Sequence, residues 1–325
     1  MTIKRLAEIT KTSPGTVSKA FSGSAEISAE TKEAIFRAAR EEGCFEKYYK
    51  GPREKKLVAI LCPEAGSEYY GRLVDLLTEN LRRRDCNTVI AITAFDSERE
   101  ALLFSELTGR VRVDGVICLG SGDQIRNPDQ VPLVLLGRSK ASREGDAVQF
   151  LTEEAVRSAI FHLKECGHKR IAFLGEQRTQ AKLKLFCNTM REAGLAVRKE
   201  HLITVSGRFG EGGYAAMRDL LDRGDPPTAV MVAYDSMALG AMRCAKDAGF
   251  LVPEDISFIG MDDINMDAYL DVSLSSIHTH LEEACDKVMD LLLYKMKNRH
   301  YKERRLLTVR AELCLRESVA DLTKK

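Results

Sequence analysis

From residue 57 onward, apolar runs of five or six residues alternate with longer stretches whose apolar residues recur three and four positions apart. This switching between strand and helix periods limits the chain to very few folds. The first runs are LVAIL at 57–61, TVIAI at 88–92, GVICL at 115–119 and PLVLL at 132–136, with helical segments near 70–84 and 98–108. A second series follows: RIAFLG at 170–175, HLITV at 201–205, AVMVA at 229–233 and ISFIG at 256–260. It alternates with helices near 153–166, 179–193, 211–222 and 236–248. Continuously apolar strands separated by helices imply parallel βαβ units covered on both faces. The expected fold class is therefore α/β, with two doubly wound lobes in tandem. In such open sheets ligands bind beyond the carboxyl ends of the strands, so a crevice between the lobes is the expected site.

The first 56 residues do not share this pattern. Thr2 can cap a helix in which Ile3, Leu6 and Ala7 form one apolar face, and the polar run at 11–13 ends it. Ser13 followed by Pro14 reads as an N-cap with proline at the first helical position, and Val17, Ala20 and Phe21 turn inward from there. The outward positions Gly15, Thr16, Ser18, Lys19 and Ser22 are small or hydrogen-bonding, as suits a helix entering a major groove. A plain helical hairpin fits the same residues. A third helix spans about 28–42 with Ser28 as its cap, and Gly43 ends it. Residues 1–56 hold 12 Lys and Arg against 8 Asp and Glu, while the remainder is slightly acidic. The basic surplus thus falls where the helix pair falls.

Residues 44–56, CFEKYYKGPREKK, are basic and without a sustained period, and read as a linker. The chain's 325 residues, 44% apolar and 30% charged, suffice for a headpiece and two lobes. Its nine cysteines are scattered, odd in number and contain no C-x-x-C pair, so they read as reduced thiols. With no apolar N-terminal region and no run of 18 apolar residues, the expectation is a cytoplasmic protein without a membrane partner.

The motifs T-I-K-x-x-A at the start, S-x-x-T-V-S-K at 13–19, S-G at 22–23 and I-S-x-E-T-K at 27–32 resemble the headpiece of the lactose-repressor family of bacterial transcription regulators. The resemblance continues in RVDGVICL at 112–119, CGHKRIAFLG at 166–175, AYDSMALG at 233–240 and AGFLVPEDISFIG at 248–260. It implies a helix-turn-helix headpiece at 1–43, a hinge linker at 44–56 and a periplasmic-binding-protein-like core at 57–325. The core chain would cross three times between lobes, with the first lobe about 57–152 and 278–305 and the second about 153–277 and 306–325. Partners implied are double-stranded operator DNA, a small effector, and a second copy in a homodimer or tetramer. With Leu151-Thr152 where relatives place Asp-Asn and Lys182 in place of arginine, the effector is either sugar-like, another small molecule, or absent. No cofactor or metal is implied.

On the DNA side the resemblance implies that Thr16, Ser18 and Lys19 lie at the DNA, with Ser13 and Thr16 near phosphates and Lys19 on the base-reading face, and Thr2 joins them as a candidate contact. Pro14 and Gly15 stand where the family has larger polar residues. The linker lacks the family's Pro-Asn start and its groove-wedging leucine, which leaves Tyr48 and Tyr49 either to make that contact or to pack against the protein. On the effector side the resemblance points to Ser67, Tyr69, Tyr70, Arg138, Lys182, Phe209, Asp235 and Asp262. Asp235, directly after a core strand, is placed to accept hydrogen bonds from a ligand, though Asp is also a common helix cap. Lys182 replaces a family arginine, which changes the ligand geometry.

Enzyme motifs are missing from the sequence. GSG at 120–122 is no dinucleotide fingerprint, and neither a phosphate-binding GxxxxGK[ST] nor a GxSxG elbow occurs. His278, His280 and Cys285 are loosely spaced for a metal, but surface histidines explain them better. The sequence reads as a DNA-binding transcription regulator, not an enzyme.

Overall fold

In the computed structural model the described residues are 2–49, 55–137, 145–298 and 303–324. They form two compact units, one ending at Lys56 and one beginning at Leu57.

The N-terminal unit contains α1 (Ile3–Ile9), α2 (Pro14–Phe21), α3 (Ala29–Glu41) and a single turn, α4 (Phe45–Tyr48). Side-chain oxygens cap the first three helices: Thr2, Ser13 and Ser28 accept from the backbone N–H groups of Arg5, Thr16 and Thr31. Leu6, Ala7, Val17, Ala20, Phe21, Ile35, Ala38 and Ala39 are buried between them. Residues 44–49, expected as linker, instead close this core. Phe45 stacks on Tyr49 with ring centroids 4.8 Å apart, and Tyr49 meets Phe36 edge-on at 5.2 Å. Tyr48 lies 5.8 Å from Phe21. The aromatic residues of the expected linker are thus an extension of the headpiece core.

The second unit has two lobes. The first is a six-stranded sheet in the order β11-β5-β4-β3-β1-β2, with β1 (Lys56–Cys62), β2 (Cys86–Ile92), β3 (Gly115–Cys118), β4 (Leu133–Leu136), β5 (Asp146–Leu151) and β11 (Leu306–Arg310). Alternate residues of one strand serve opposite faces. Val58 and Ile60 meet Leu73, Leu77 and Leu81 of α5 (Glu68–Arg83) and Val288 and Leu292 of α11 (Leu281–Lys297), whereas Ala59 and Leu61 meet Phe104 of α6 (Ser97–Glu106). Burial on both faces explains why the strands read as unbroken apolar runs.

The second lobe is a four-stranded parallel sheet, β7-β6-β8-β9, built from β6 (Ile171–Glu176), β7 (Leu202–Val205), β8 (Ala229–Val232) and β9 (Ser257–Ile259). Around it pack α7 (Glu153–Glu165), α8 (Gln180–Glu192), α9 (Phe209–Asp222) and α10 (Asp235–Asp247). Helices α9 and α10 approach so closely that a Cβ on Gly213 would lie 1.8 Å from the Met237 carbonyl oxygen, and one on Gly240 1.8 Å from that of Gly210.

The chain passes between lobes near residue 152, again after β10 (Ser276–His278), and again after β11. The short antiparallel pair of β10 with β12 (Glu312–Cys314) stands at these crossings. One expectation is corrected here. Residues 306–310 were assigned to the second lobe, but β11 pairs in parallel with β5 at the edge of the first sheet, Leu306 opposite Ala147 through Arg310 opposite Leu151. The passage to the second lobe comes only at Ala311. β5 and β11 carry polar residues at Gln149, Thr308 and Arg310, so the apolar-run pattern does not mark them.

Candidate functional site

On the headpiece, Thr16 and Ser18 lie on the accessible side of α2, and Lys19 is exposed there too. Ser13 Oγ and Thr16 Oγ1 are 2.9 Å apart, so these two hydroxyls are tied to each other at the start of the helix. The Lys19 ammonium reaches the Glu26 carboxylate at 2.5 Å. Pro14 occupies the first helical position, and a Cβ on Gly15 would meet only Ser13 Oγ, at 3.6 Å. The middle of α2 thus presents hydroxyls and one ammonium on a surface with no bulky side chain at its leading edge. Tyr48 and Tyr49 are held in the aromatic cluster described above.

In the second unit a cavity of about 630 Å³ opens at the carboxyl ends of the first sheet's strands. The first lobe contributes Pro63 after β1, Phe95 after β2, and Gln149 and Phe150 of β5, while Lys182 and Leu185 come from α8 and Met261 and Asp262 follow β9. Of the effector residues expected from sequence, Tyr69, Tyr70, Lys182 and Asp262 line it together. The Lys182 ammonium donates to the Ala233 carbonyl at 2.6 Å and lies 3.8 Å from the Asp262 carboxylate. Burial pushes the Asp262 carboxyl up to about 7 against the opposing pull of Lys182, with Asp235 adding to the rise. Burial likewise raises the Tyr69 phenol well above its usual range, assisted by Asp262. Asp262 and Asp263 both hold positive φ, 118° and 56°, conformations a non-glycine residue keeps only where its surroundings enforce them. Here the Asp262 N–H donates to Ile277, and Asp263 accepts from His278 Nδ1 at 2.7 Å and Arg316 Nη2 at 2.6 Å. The crossing strands therefore hold the cavity aspartate in place. Thr279, on the same crossing, lines the cavity, and its buried hydroxyl has no hydrogen-bond partner among the described residues.

Three expected effector residues are not brought to this cavity. Asp235 is fully buried, accepting from Ser276 Oγ at 2.7 Å and the Ile264 N–H at 3.2 Å. It ties the start of α10 to the segment after β9 and to β10. Its carboxylate finds room because residue 260 is glycine, where a Cβ would sit 1.9 Å from Asp235 Oδ1. Nor is it the helix cap, a place held by Tyr234. Phe209 turns into the second lobe with φ of 53°, its N–H bonded to the Tyr234 hydroxyl at 3.0 Å. Ser67 caps α5, accepting from the Tyr70 N–H. Arg138 lies outside the described residues.

Sequence reasoning missed Phe95, Gln149, Phe150 and Thr279 in the cavity, and Glu64, Glu176 and Arg208 beside it. Each of Glu64, Phe95 and Glu176 stands at or just past the end of a core strand, which is the signal that could have found them. His278 is engaged with Asp263, and His280 packs edge-on against it with centroids 4.3 Å apart. Among the described residues no group of three or more His, Cys, Asp or Glu is placed to hold a metal ion, and no helix is long and apolar enough to cross a membrane.

A helix-turn-helix unit followed in one chain by a two-lobed α/β core with a ligand-sized crevice is the build of a ligand-responsive regulator. Residues 160–319 match the periplasmic binding protein-like domain. The chain is 28% identical over 317 residues to the HTH-type transcriptional repressor CytR of Escherichia coli, covering 92% of this chain and 91% of that protein. Among solved structures it resembles a transcriptional regulator CelR–cellobiose complex, with 27% identity, TM-score 0.68 and coverage of 98% and 99%. It also resembles a putative LacI-family regulator from Sanguibacter keddieii, with 26% identity, TM-score 0.72 and coverage of 81% and 97%. Over nearly its whole length the chain is thus similar to a transcriptional repressor, and over most of it to a regulator of the lactose-repressor (LacI) family.

Proposed function

We propose that this protein is a transcriptional repressor whose operator binding responds to a small molecule held in the interlobe crevice. The observation that carries the reading is the presence in one chain of the Thr16, Ser18 and Lys19 surface on α2 and of the 630 Å³ cavity with Asp262, Lys182 and the buried Thr279 hydroxyl. A solved relative carries cellobiose, and a hydroxyl-rich ligand with an apolar face suits this mixture of aromatic walls and polar groups. Two copies would present two headpieces to a near-palindromic operator. Apolar side chains left exposed on the edge strand β2 (Ile90 and Ile92) and on the second lobe (Leu251, Met266 and Tyr269) support a homodimer. The relatives' names describe repressors, and on that ground the chain is assigned no catalytic role.

The test is selection of bound duplexes from a random pool with the full-length protein, followed by gel shifts with and without a panel of sugars and nucleosides. Enrichment of a two-fold symmetric site, with affinity altered by one of the compounds, is expected. Failure to enrich any sequence would favour a second reading, a small-molecule binding protein of this fold with degenerate DNA recognition, to which Pro14 and Gly15 at the leading edge of α2 already point.

A further inference from the structure

The two lobes also meet at a point beside the cavity that no part of the effector reading uses. Arg208 precedes α9 in the second lobe, and Glu64 follows β1 in the first. Both terminal nitrogens of the guanidinium engage the Glu64 carboxylate, Nη1 with Oε2 and Nη2 with Oε1, the latter at 3.1 Å. Its Nε faces both oxygens of Glu176, in its own lobe, at 3.2 and 3.1 Å. Two rings cover the group, Phe95 of the first lobe at 5.0 Å and Phe209 of the second at 4.5 Å from the guanidinium carbon. The side chains of Arg208, Glu64 and Glu176 are only 25%, 16% and 4% exposed. A forked guanidinium–carboxylate pair is a charge-assisted contact of fixed geometry, and removing either partner leaves the other's charge unpaired in a site only partly open to water.

Because Glu64 and Arg208 belong to different lobes, the crevice cannot open on this side without breaking both of their bonds. We propose that Glu64, Arg208 and Glu176 form an internal clasp that holds the two lobes closed in the absence of ligand. Closure is then a property of the chain, and a small molecule acts by changing an arrangement that already exists, since a ligand shifts an equilibrium only through its differential affinity for the two states. This last consequence rests on the effector-responsive reading above, whereas the clasp itself does not.

The experiment compares ligand-free, full-length wild type with Glu64→Gln and Arg208→Lys. The first keeps the shape and removes the charge, and the second keeps the charge and removes the fork. Hydrogen exchange and small-angle scattering are measured on all three. Both variants are expected to show roughly tenfold faster exchange in the facing loops around 62–70 and 205–210, with a larger radius of gyration and with β6 and β8 exchanging as before. Wild-type exchange and dimensions in both variants would overturn the clasp. Loss of protection in β6 and β8 as well would also overturn it, since the residues would then be supporting the second lobe's fold. Operator affinity is read in parallel. If the loops loosen while affinity is unchanged, the clasp stands and the coupling between crevice and operator fails.

Discussion

Lys19 Nζ and Glu26 Oε2 stand 2.5 Å apart on the headpiece surface, the only ion pair among the described residues that involves α2. The ammonium expected at the DNA is therefore partly neutralised by its own chain. An exposed pair of this kind is worth about 0.2–1 kcal/mol, so it competes only weakly with a phosphate or a base edge. Glu26→Gln should free Lys19 and remove a repelling carboxylate, tightening operator binding by about two- to fivefold at low salt. Lys19→Ala should weaken it by about 1–3 kcal/mol on the selected site. Gel-shift titrations at two salt concentrations measure both. Equal affinities for wild type and Glu26→Gln would mean that the acid does not restrain Lys19.

Gly15 lies within the first turn of α2, and the space its Cβ would enter contains only Ser13 Oγ at ordinary contact distance. No positive φ requires glycine there. Gly15→Ala should therefore stabilise the headpiece by up to about 1 kcal/mol through reduced unfolded-chain entropy and better helix propensity. Urea denaturation followed by the helical signal tests this. A loss of stability would indicate a close approach that the geometry does not contain.

At the α9–α10 crossing the opposite holds. Each hypothetical Cβ at Gly213 and Gly240 falls 1.8 Å from a backbone carbonyl oxygen of the facing helix, and backbone cannot rotate aside as a side chain can. Gly213→Ala and Gly240→Ala should each destabilise the second unit, by about 1–3 kcal/mol or more, by forcing the helices apart. Thermal melts that match wild type for either variant would contradict the close packing.

The strands and helix caps were legible because each depends on local chemistry: Ser13 and Ser28 cap where a hydroxyl precedes an apolar period, and β1, β3, β4 and β6 announce burial on both faces. Sheet membership was not local. LLTVR at 306–310 has only Val309 buried, and nothing in its own sequence says which lobe's edge it joins. Of the expected effector residues, Tyr69, Tyr70, Lys182 and Asp262 reach the cavity because they follow strands or face them from the adjoining helix. Asp235 satisfies the same criterion but does not line the cavity, because the missing side chain at Gly260 lets its carboxylate turn inward to Ser276 and Ile264. Phe209 leaves its expected place at the cavity, and Arg208, to which the sequence assigns no role, reaches across to the other lobe, through one backbone angle. With φ of 53° at Phe209 the ring enters the second lobe and the guanidinium points at Glu64. No pattern of residue types encodes that turn.

Asp267 supplies a prediction for pH. Its carboxyl oxygens are buried without a hydrogen bond of good geometry among the described residues, beside Asp235 and near Asp263, with Arg316 as the opposing charge. Burial first and the Asp235 carboxylate second push it up to about 10. An unfolded chain restores an ordinary value of about 4. Between these limits the folded protein holds a proton that the unfolded chain does not. Stability from this group is therefore complete below about pH 4 and falls as pH rises toward 10. Asp267→Asn keeps the shape and removes the titration, so the variant should gain on wild type by up to about 1.4 kcal/mol per pH unit between pH 6 and 9. Taking the difference between the two proteins cancels groups that titrate alike in both, including Asp262. Urea melts at pH 6, 7.5 and 9 provide the measurement. A gap that stays constant or narrows with rising pH would show that Asp267 is already ionised at pH 6, with its charge compensated by Arg316.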